Sequence, residues 1–178
     1  MTAPVLTTAD HILTPLAAAD RADLFAHLSD PGTVEHMDIA PLADLDEADA
    51  IIAWASGLDA AGDGVRWAIR DRAGRFVGTA GFNALVRERA SRGEIAYDVV
   101  AARRRSGVMT EVLPAVLDHG FRALGLRRIE AMVTPGNTAS GALLRRFGFR
   151  LEGTLRDHAY WKGRFWDQQL FARLADDL

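Results

Sequence analysis

The chain has 178 residues, 24 acidic against 21 basic side chains, a formal net charge of −3, 49% hydrophobic residues and no cysteine. That is the make-up of one ordinary globular domain whose core needs no disulfide, and it excludes a thiol nucleophile, a zinc-thiolate site and an iron–sulfur site. The acidic balance argues against a nucleic-acid backbone as the main partner, and no apolar stretch approaches the ~20 residues that span a bilayer.

No repeat or Pro/Gly/Ser-rich linker divides the sequence, so residues 1–178 read as a single domain. Residues 11–16 (HILTPL) read as a first strand, and residues 20–28 carry apolar side chains at helical spacing behind Asp20. Asp44 opens a second helix, with Glu47 three residues on in a capping-box arrangement and Ile51, Ile52, Trp54 and Ala55 supplying the apolar face. The period then changes. Residues 65–70, 76–85 and 93–100 are β-rich runs in sequence, which imply an antiparallel meander.

From Gly107 the spacing returns to three and four through Val108, Met109, Val112, Leu113, Val116, Leu117, Phe121 and Leu124, and stops at Gly125. Pro114 is expected to bend this helix near its second turn. Residues 128–133 form the next strand, Asn137 caps a short helix that Gly148 ends, and residues 149–161 and 164–174 pair around a turn at Lys162-Gly163. The helical crossover makes the strands on either side of it parallel and right-handed. The fold class expected is α/β (α+β), a mixed, mostly antiparallel sheet of about seven strands flanked by helices, with Trp54, Trp67 and Trp166 in packing roles.

The most informative stretch is Arg103-Arg104-Arg105-Ser106-Gly107-Val108-Met109-Thr110-Glu111, where a strand meets a helix. Such a junction turns main-chain N–H groups and the positive end of the helix dipole into a concavity that takes phosphate. Three arginines add charge-assisted hydrogen bonds to a polyphosphate. A solvated basic turn is the other reading of the same residues. No G-x-x-x-x-G-K-S/T, G-x-G-x-x-G, G-x-S-x-G or H-E-x-x-H occurs, and the five histidines at 11, 27, 36, 119 and 158 lack ligand spacing, so no metal site is expected. Only Lys162 among the 21 basic residues is lysine, which reads as genome composition. Met1 to Asp10 has no basic leader and apolar run, so a cytoplasmic protein is expected, monomer or homodimer, without membrane or nucleic-acid partners.

These residues resemble the GCN5-related N-acetyltransferases (GNAT), in the branch that includes the ribosomal-protein N-terminal acetyltransferases. Arg104-x-x-Gly107-x-Met109 matches the first two fixed positions of the family's Q/R-x-x-G-x-G/A pyrophosphate loop, and residues 107–112 (GVMTEV) follow the branch's G-Y-M-T-E-A. Arg105 departs from it, standing where the branch usually has Gly. Residues 124–131 (LGLRRIEA), 137–140 (NTAS), 147–153 (FGFRLEG), 163–167 (GRFWD) and 170–174 (LFARL) repeat the branch's order and spacing within residues 76–174.

The resemblance implies an acetyl-CoA site in a V-shaped split between the two parallel strands, and direct transfer of the acetyl group to a primary amine. A protein N-terminal α-amine is the favoured acceptor. A small-molecule amine (amino acid, polyamine or antibiotic) is the alternative, as is a non-catalytic acyl-CoA-binding module. By the same resemblance a β-bulge near Asp98, Val99 and Val100 would hold the pantetheine arm. Arg104, Arg105, Ser106, Gly107, Val108, Met109 and Thr110 would surround the pyrophosphate, and Arg103 would meet another phosphate. Asn137 would bond the cofactor arm and Ser140 would protonate the leaving thiolate, although helix capping accounts for both without a ligand. Ala159 stands where some ribosomal-protein acetyltransferases carry Glu, so the base is sought among Glu94, Asp98 and His158. Phe82, Asn83, Tyr97, Tyr160 and Trp161 are expected to line the acceptor groove.

Overall fold

The computed structural model describes residues 3–88 and 90–177. Its strands are β1 (Leu6–Thr7), β2 (His11–Pro15), β3 (Val65–Asp71), β4 (Phe76–Val86), β5 (Arg92–Val99), β6 (Arg128–Val133), β7 (Arg150–Trp161) and β8 (Arg164–Leu174). They form one sheet in the order β1-β2-β3-β4-β5-β6-β8-β7. Every pairing is antiparallel except that of β5 with β6. The helices are α1 (Arg21–Leu28), α2 (Pro31–Val34), α3 (Leu45–Ala61), α4 (Val108–Asp118) and α5 (Thr138–Arg146).

Local chemistry sets the helix ends. The Asp44 carboxylate accepts from the N–H groups of Asp46 and Glu47 at 3.0 and 3.1 Å, Glu47 reaches back to the N–H of Ala43 at 2.8 Å, and Gly62 ends α3 at φ 76°. In α4 the buried stripe is Val108, Met109, Val112, Leu113, Val116 and Leu117, the residues that the spacing predicts. The α-helix runs through Pro114 but stops at Asp118, short of Leu124, and widens into a π turn over His119–Ala123.

Strand alternation divides the core between the two faces of the sheet. Trp67 and Ile69 join Ile129, Phe171 and the α4 stripe on one face, whereas Ala68 joins Leu24, Leu28, Ala48 and Ile52 of α1 and α3 on the other. The eighth strand, β1, and the four-residue α2 are absent from the sequence reading because neither is long enough to show a period. Trp67 is fully buried, but Trp54 is 45% exposed on α3 and does not pack as expected. Trp166 is half-buried and stacks on Trp161 at 5.5 Å.

Phe82 corrects another expectation. It is fully buried and so cannot line an acceptor groove. A Cβ on Gly93 would lie 2.9 Å from its ring, and one on Gly120 would lie 2.6 Å from it. The ring therefore occupies space that these two glycines leave open. Gly120→Ala is expected to destabilise the fold by about 1–3 kcal/mol through overpacking, seen as a lower denaturant midpoint.

The feature that positions the site is where the sheet opens. β5 and β6 pair only through Arg92↔Arg128, Gly93↔Ile129 and Glu94↔Glu130. Beyond that rung β5 continues on β4 as far as Val99, and β6 continues on β8 as far as Val133, so the two parallel strands diverge.

Candidate active site

Glu94 and Glu130 form the last paired rung at the floor of the split. Glu130 is buried and held by Arg92 and by Arg128, whose Nε lies 2.6 Å from Oε1. Glu94 is half-buried without such a clasp. Burial, then the negative charges of Glu130 and Asp38, raise its carboxyl above the ordinary range against the opposing pull of Arg92 and His158. The charge of His158 comes from β7, where the pairing jumps from Leu155↔Gln168 to Ala159↔Trp166. The loosened segment leaves His158 exposed. The structure thus brings two of the three expected bases within charge reach of each other.

The third, Asp98, lies elsewhere and is corrected. Its carboxylate accepts the Thr79 N–H at 2.9 Å and the Thr79 hydroxyl at 2.6 Å, sits 2.7 Å from His27 Nε2 and 3.4 Å from the Arg66 guanidinium. Burial would raise this carboxyl, but the hydrogen bond and charge of His27, with Arg66 and Thr79, outweigh it and hold it below its usual range. Every lone pair it could offer a proton is engaged. Asp98 is a structural anion that keeps Arg66 buried in a paired state.

The expected bulge at residues 98–100 is absent. The β4–β5 register is unbroken from Gly78↔Val99 to Phe82↔Ile95 and slips between Phe82 and Ala84, which makes Asn83 on β4 the extra residue. The Asn83 side chain accepts from Arg66 at 3.2 Å. Val100 donates its N–H to Val77 O at 3.0 Å, so it has none for a ligand. Alternation along an antiparallel pair instead turns the main-chain groups of Tyr97 and Val99 toward the split, and Val99 O accepts from Arg104 Nε at 3.3 Å.

On the other face of β5, the Tyr97 hydroxyl meets Ser140 Oγ at 2.8 Å. This bond spans the split from β5 to α5. Desolvation, only partly offset by the Ser140 bond, pushes the Tyr97 phenol up to about 12, so it stays protonated at neutral pH. Asn137 caps α5, its Oδ1 accepting the Ser140 N–H at 3.1 Å. The sequence reading placed Tyr97 in the acceptor groove and missed it as the partner of Ser140; the signal was its odd position on β5, opposite in face to Glu94 and Asp98. It also missed His27, Arg66, Thr79, Glu130 and Asp38. Tyr160 is 62% exposed against Phe165, and Trp161 stacks on Trp166 at the hairpin end.

At the mouth, Gly107 caps α4 at φ 89°, in the left-handed region that suits glycine, with no atom within 4 Å of where a Cβ would stand. The first helical bond runs from the Glu111 N–H to Gly107 O, which leaves the N–H groups of Val108, Met109 and Thr110 at the open helix end. The Val108 and Met109 side chains are buried in the core, so only their main chain faces outward. Arg105, at φ 59°, and Ser106 are exposed. Arg103 lies 3.3 Å from Asp71, and Arg104 donates to Thr33 Oγ1 at 2.7 Å. An open, cationic helix end beside a narrow split suits a ligand with an anionic head and a thin neutral arm, the shape of a CoA thioester. These residues fit that ligand, and a CoA-dependent acyltransferase is the class of protein that such a site suits.

Comparison with known proteins narrows the class. The acetyltransferase (GNAT) domain family matches residues 11–150, and the chain belongs to that family. It is 33% identical over 170 residues, 95% of this chain and 96% of the other, to the uncharacterized N-acetyltransferase YoaA of Bacillus subtilis (strain 168). The ribosomal protein uS5-alanine N-acetyltransferase of Escherichia coli (strain K12) is 32% identical over 102 residues, 57% of this chain and 53% of that one. Among solved structures, Mycobacterium smegmatis RimJ in complex with CoA-disulfide superposes with a TM-score of 0.87 at 28% identity, covering 98% of this chain and 88% of that one. The protein is an acetyl-CoA-dependent N-acetyltransferase.

Proposed function

We propose that the acceptor is the α-amine of a protein N-terminus, that Glu94 takes its proton, and that the acetyl group passes directly from thioester to amine. The observation that carries this reading is Glu94 at the rung where β5 and β6 part, a half-buried carboxyl raised toward the pH at which a base is useful. An α-amine ionises near pH 8 and a lysine side chain near 10.4, so the former asks less of a carboxylate base. The likeness to the uS5-alanine acetyltransferase supports a protein acceptor. Such an acceptor is met in the cytoplasm, and among the described residues no helix is long and apolar enough to cross a membrane. With no cysteine in the chain, a thioester on the enzyme has no residue to form on.

Acetyl-CoA brings an activated thioester whose thiol has a pKa near 8.5. The Tyr97–Ser140 pair is the proton donor on the far side of β5 from the base. Ser140→Ala is expected to lower kcat roughly ten-fold, a modest effect because such a thiol already leaves readily, with acetyl-CoA affinity unchanged. Tyr97→Phe is expected to behave alike. Steady-state CoA release beside calorimetric acetyl-CoA binding checks this, and an unaltered kcat in Ser140→Ala removes the acid role. The acceptor itself is tested with two peptides of one lysine-containing sequence beginning with alanine, one with a free N-terminus and one with its N-terminus blocked. The reading expects acetylation of the free α-amine alone.

A further inference from the structure

Past the Glu94/Glu130 rung no strand pairing joins β5 to β6, so the sheet alone does not fix how residues beyond it sit across the split. One segment crosses it. At its start, Thr33 Oγ1 accepts from Arg104, just beyond the end of β5, at 2.7 Å. Three residues on, His36 O accepts from Thr134 Oγ1, just beyond the end of β6, at 2.9 Å. Thr134 is in turn held by buried Gln168 of β8 at 3.0 Å. Between these ties, Lys162 at the tip of the β7–β8 hairpin donates from Nζ to Val34 O at 2.5 Å and Glu35 O at 3.3 Å, the terminal carbonyls of α2. The segment then delivers Asp38 to the neighbourhood of Glu94.

Lys162 is out of place by two local criteria. The hairpin turn puts Lys162 at φ 48° and Gly163 at φ 77°, a geometry whose first position favours Asn, Asp or Gly over a long side chain. Every other basic position among the 21 is arginine. A residue that breaks turn chemistry and the chain's own composition, and whose ammonium is spent on two carbonyls of another element, is explained by that contact.

We propose that residues 33–38 are a strap across the open end of the split and that Lys162 is the positioning residue that locks it, holding the acceptor side against Glu94. The proposal rests on the reading of Glu94 as the base. Lys162 touches neither base nor acceptor; it acts through the strap. Asparagine suits the turn better than lysine, so Lys162→Asn tests the latch without endangering the hairpin, and Lys162→Arg keeps donors at the same reach.

The experiment pairs hydrogen exchange of the free protein with kinetics on an alanine-initiated peptide. In Lys162→Asn, backbone exchange over residues 34–38 is expected to quicken about ten-fold and the peptide KM to rise about ten-fold, the equivalent of one lost charge-assisted hydrogen bond, with acetyl-CoA affinity and exchange in β6 unchanged. Lys162→Arg is expected to restore both. Exchange over 34–38 that stays at the wild-type rate in Lys162→Asn overturns the proposal, as does a loss of acetyl-CoA affinity equal to the rise in KM, or a failure of Lys162→Arg to restore. Exchange is read without any acceptor. A wild-type protein that leaves the peptide unmodified therefore counts against the N-terminal acceptor, while the strap still stands or falls on the exchange rates.

Discussion

Glu94→Gln is expected to lower kcat/KM for the acceptor between about a hundred-fold and ten-thousand-fold, the usual range for removal of a general base, with acetyl-CoA affinity unchanged. The acidic limb of the wild-type kcat/KM profile reports the carboxyl that must lose its proton. Because burial and the charges of Glu130 and Asp38 raise Glu94, that limb is expected above the ordinary carboxylate range, and it is expected to vanish in Glu94→Gln. Stability moves the other way. A carboxyl with a raised folded-state pKa stabilises the fold while protonated, and that contribution is lost as pH rises from the unfolded value through the folded one. Glutamine cannot ionise. Thermal melts of Glu94→Gln at neutral pH are therefore expected to show a Tm no lower than that of the wild type, so lost activity cannot be laid to unfolding.

Asp98→Ala is expected to do the reverse, costing about 3–5 kcal/mol of stability because it strands the buried Arg66 guanidinium without its anion. Denaturant unfolding measures this directly. The pH dependence follows from the lowered carboxyl. A depressed folded-state pKa gives stability that is present above the ordinary aspartate value and is lost as pH falls through the folded value. The wild type should weaken in that acid window, and Asp98→Ala should weaken less there. Its kcat, measured where the variant is still folded, should fall far less than that of Glu94→Gln. The two acidic residues stand four apart on the same strand and face; the structure gives Asp98 to the core, and the proposed function gives Glu94 to chemistry.

Much of this was legible in the sequence where the signal is local. The α4 stripe, the crossover that makes β5 and β6 parallel, and the glycine-capped helix end after Arg104 all follow from spacing and turn chemistry. What failed was long-range. His27 is 71 residues from Asp98, and Arg66 is 32, so nothing near Asp98 announces that its carboxylate is already bound. Phe82 was misplaced because the register slip at Asn83 interrupts the alternation by which a strand residue is assigned to a face. The bulge was expected on β5 by likeness to the family, yet it lies on the neighbouring strand. Lys162 was read as the remainder of a composition bias, since its partners, Val34 and Glu35, are the last residue and the C-cap of a helix of only four residues that shows no periodicity.

The central claim is that Glu94, at the floor of the split, takes the proton from an N-terminal α-amine that is then acetylated directly. It is tested most directly by mass spectrometry of an alanine-initiated peptide after incubation with acetyl-CoA and either the wild type or Glu94→Gln, each shown beforehand to bind acetyl-CoA. The account predicts one acetyl group on the α-amine with the wild type and almost none with Glu94→Gln at equal acetyl-CoA occupancy. Equal acetylation by both proteins, or acetyl-CoA binding by the wild type with no acetyl group transferred to the peptide, would contradict it.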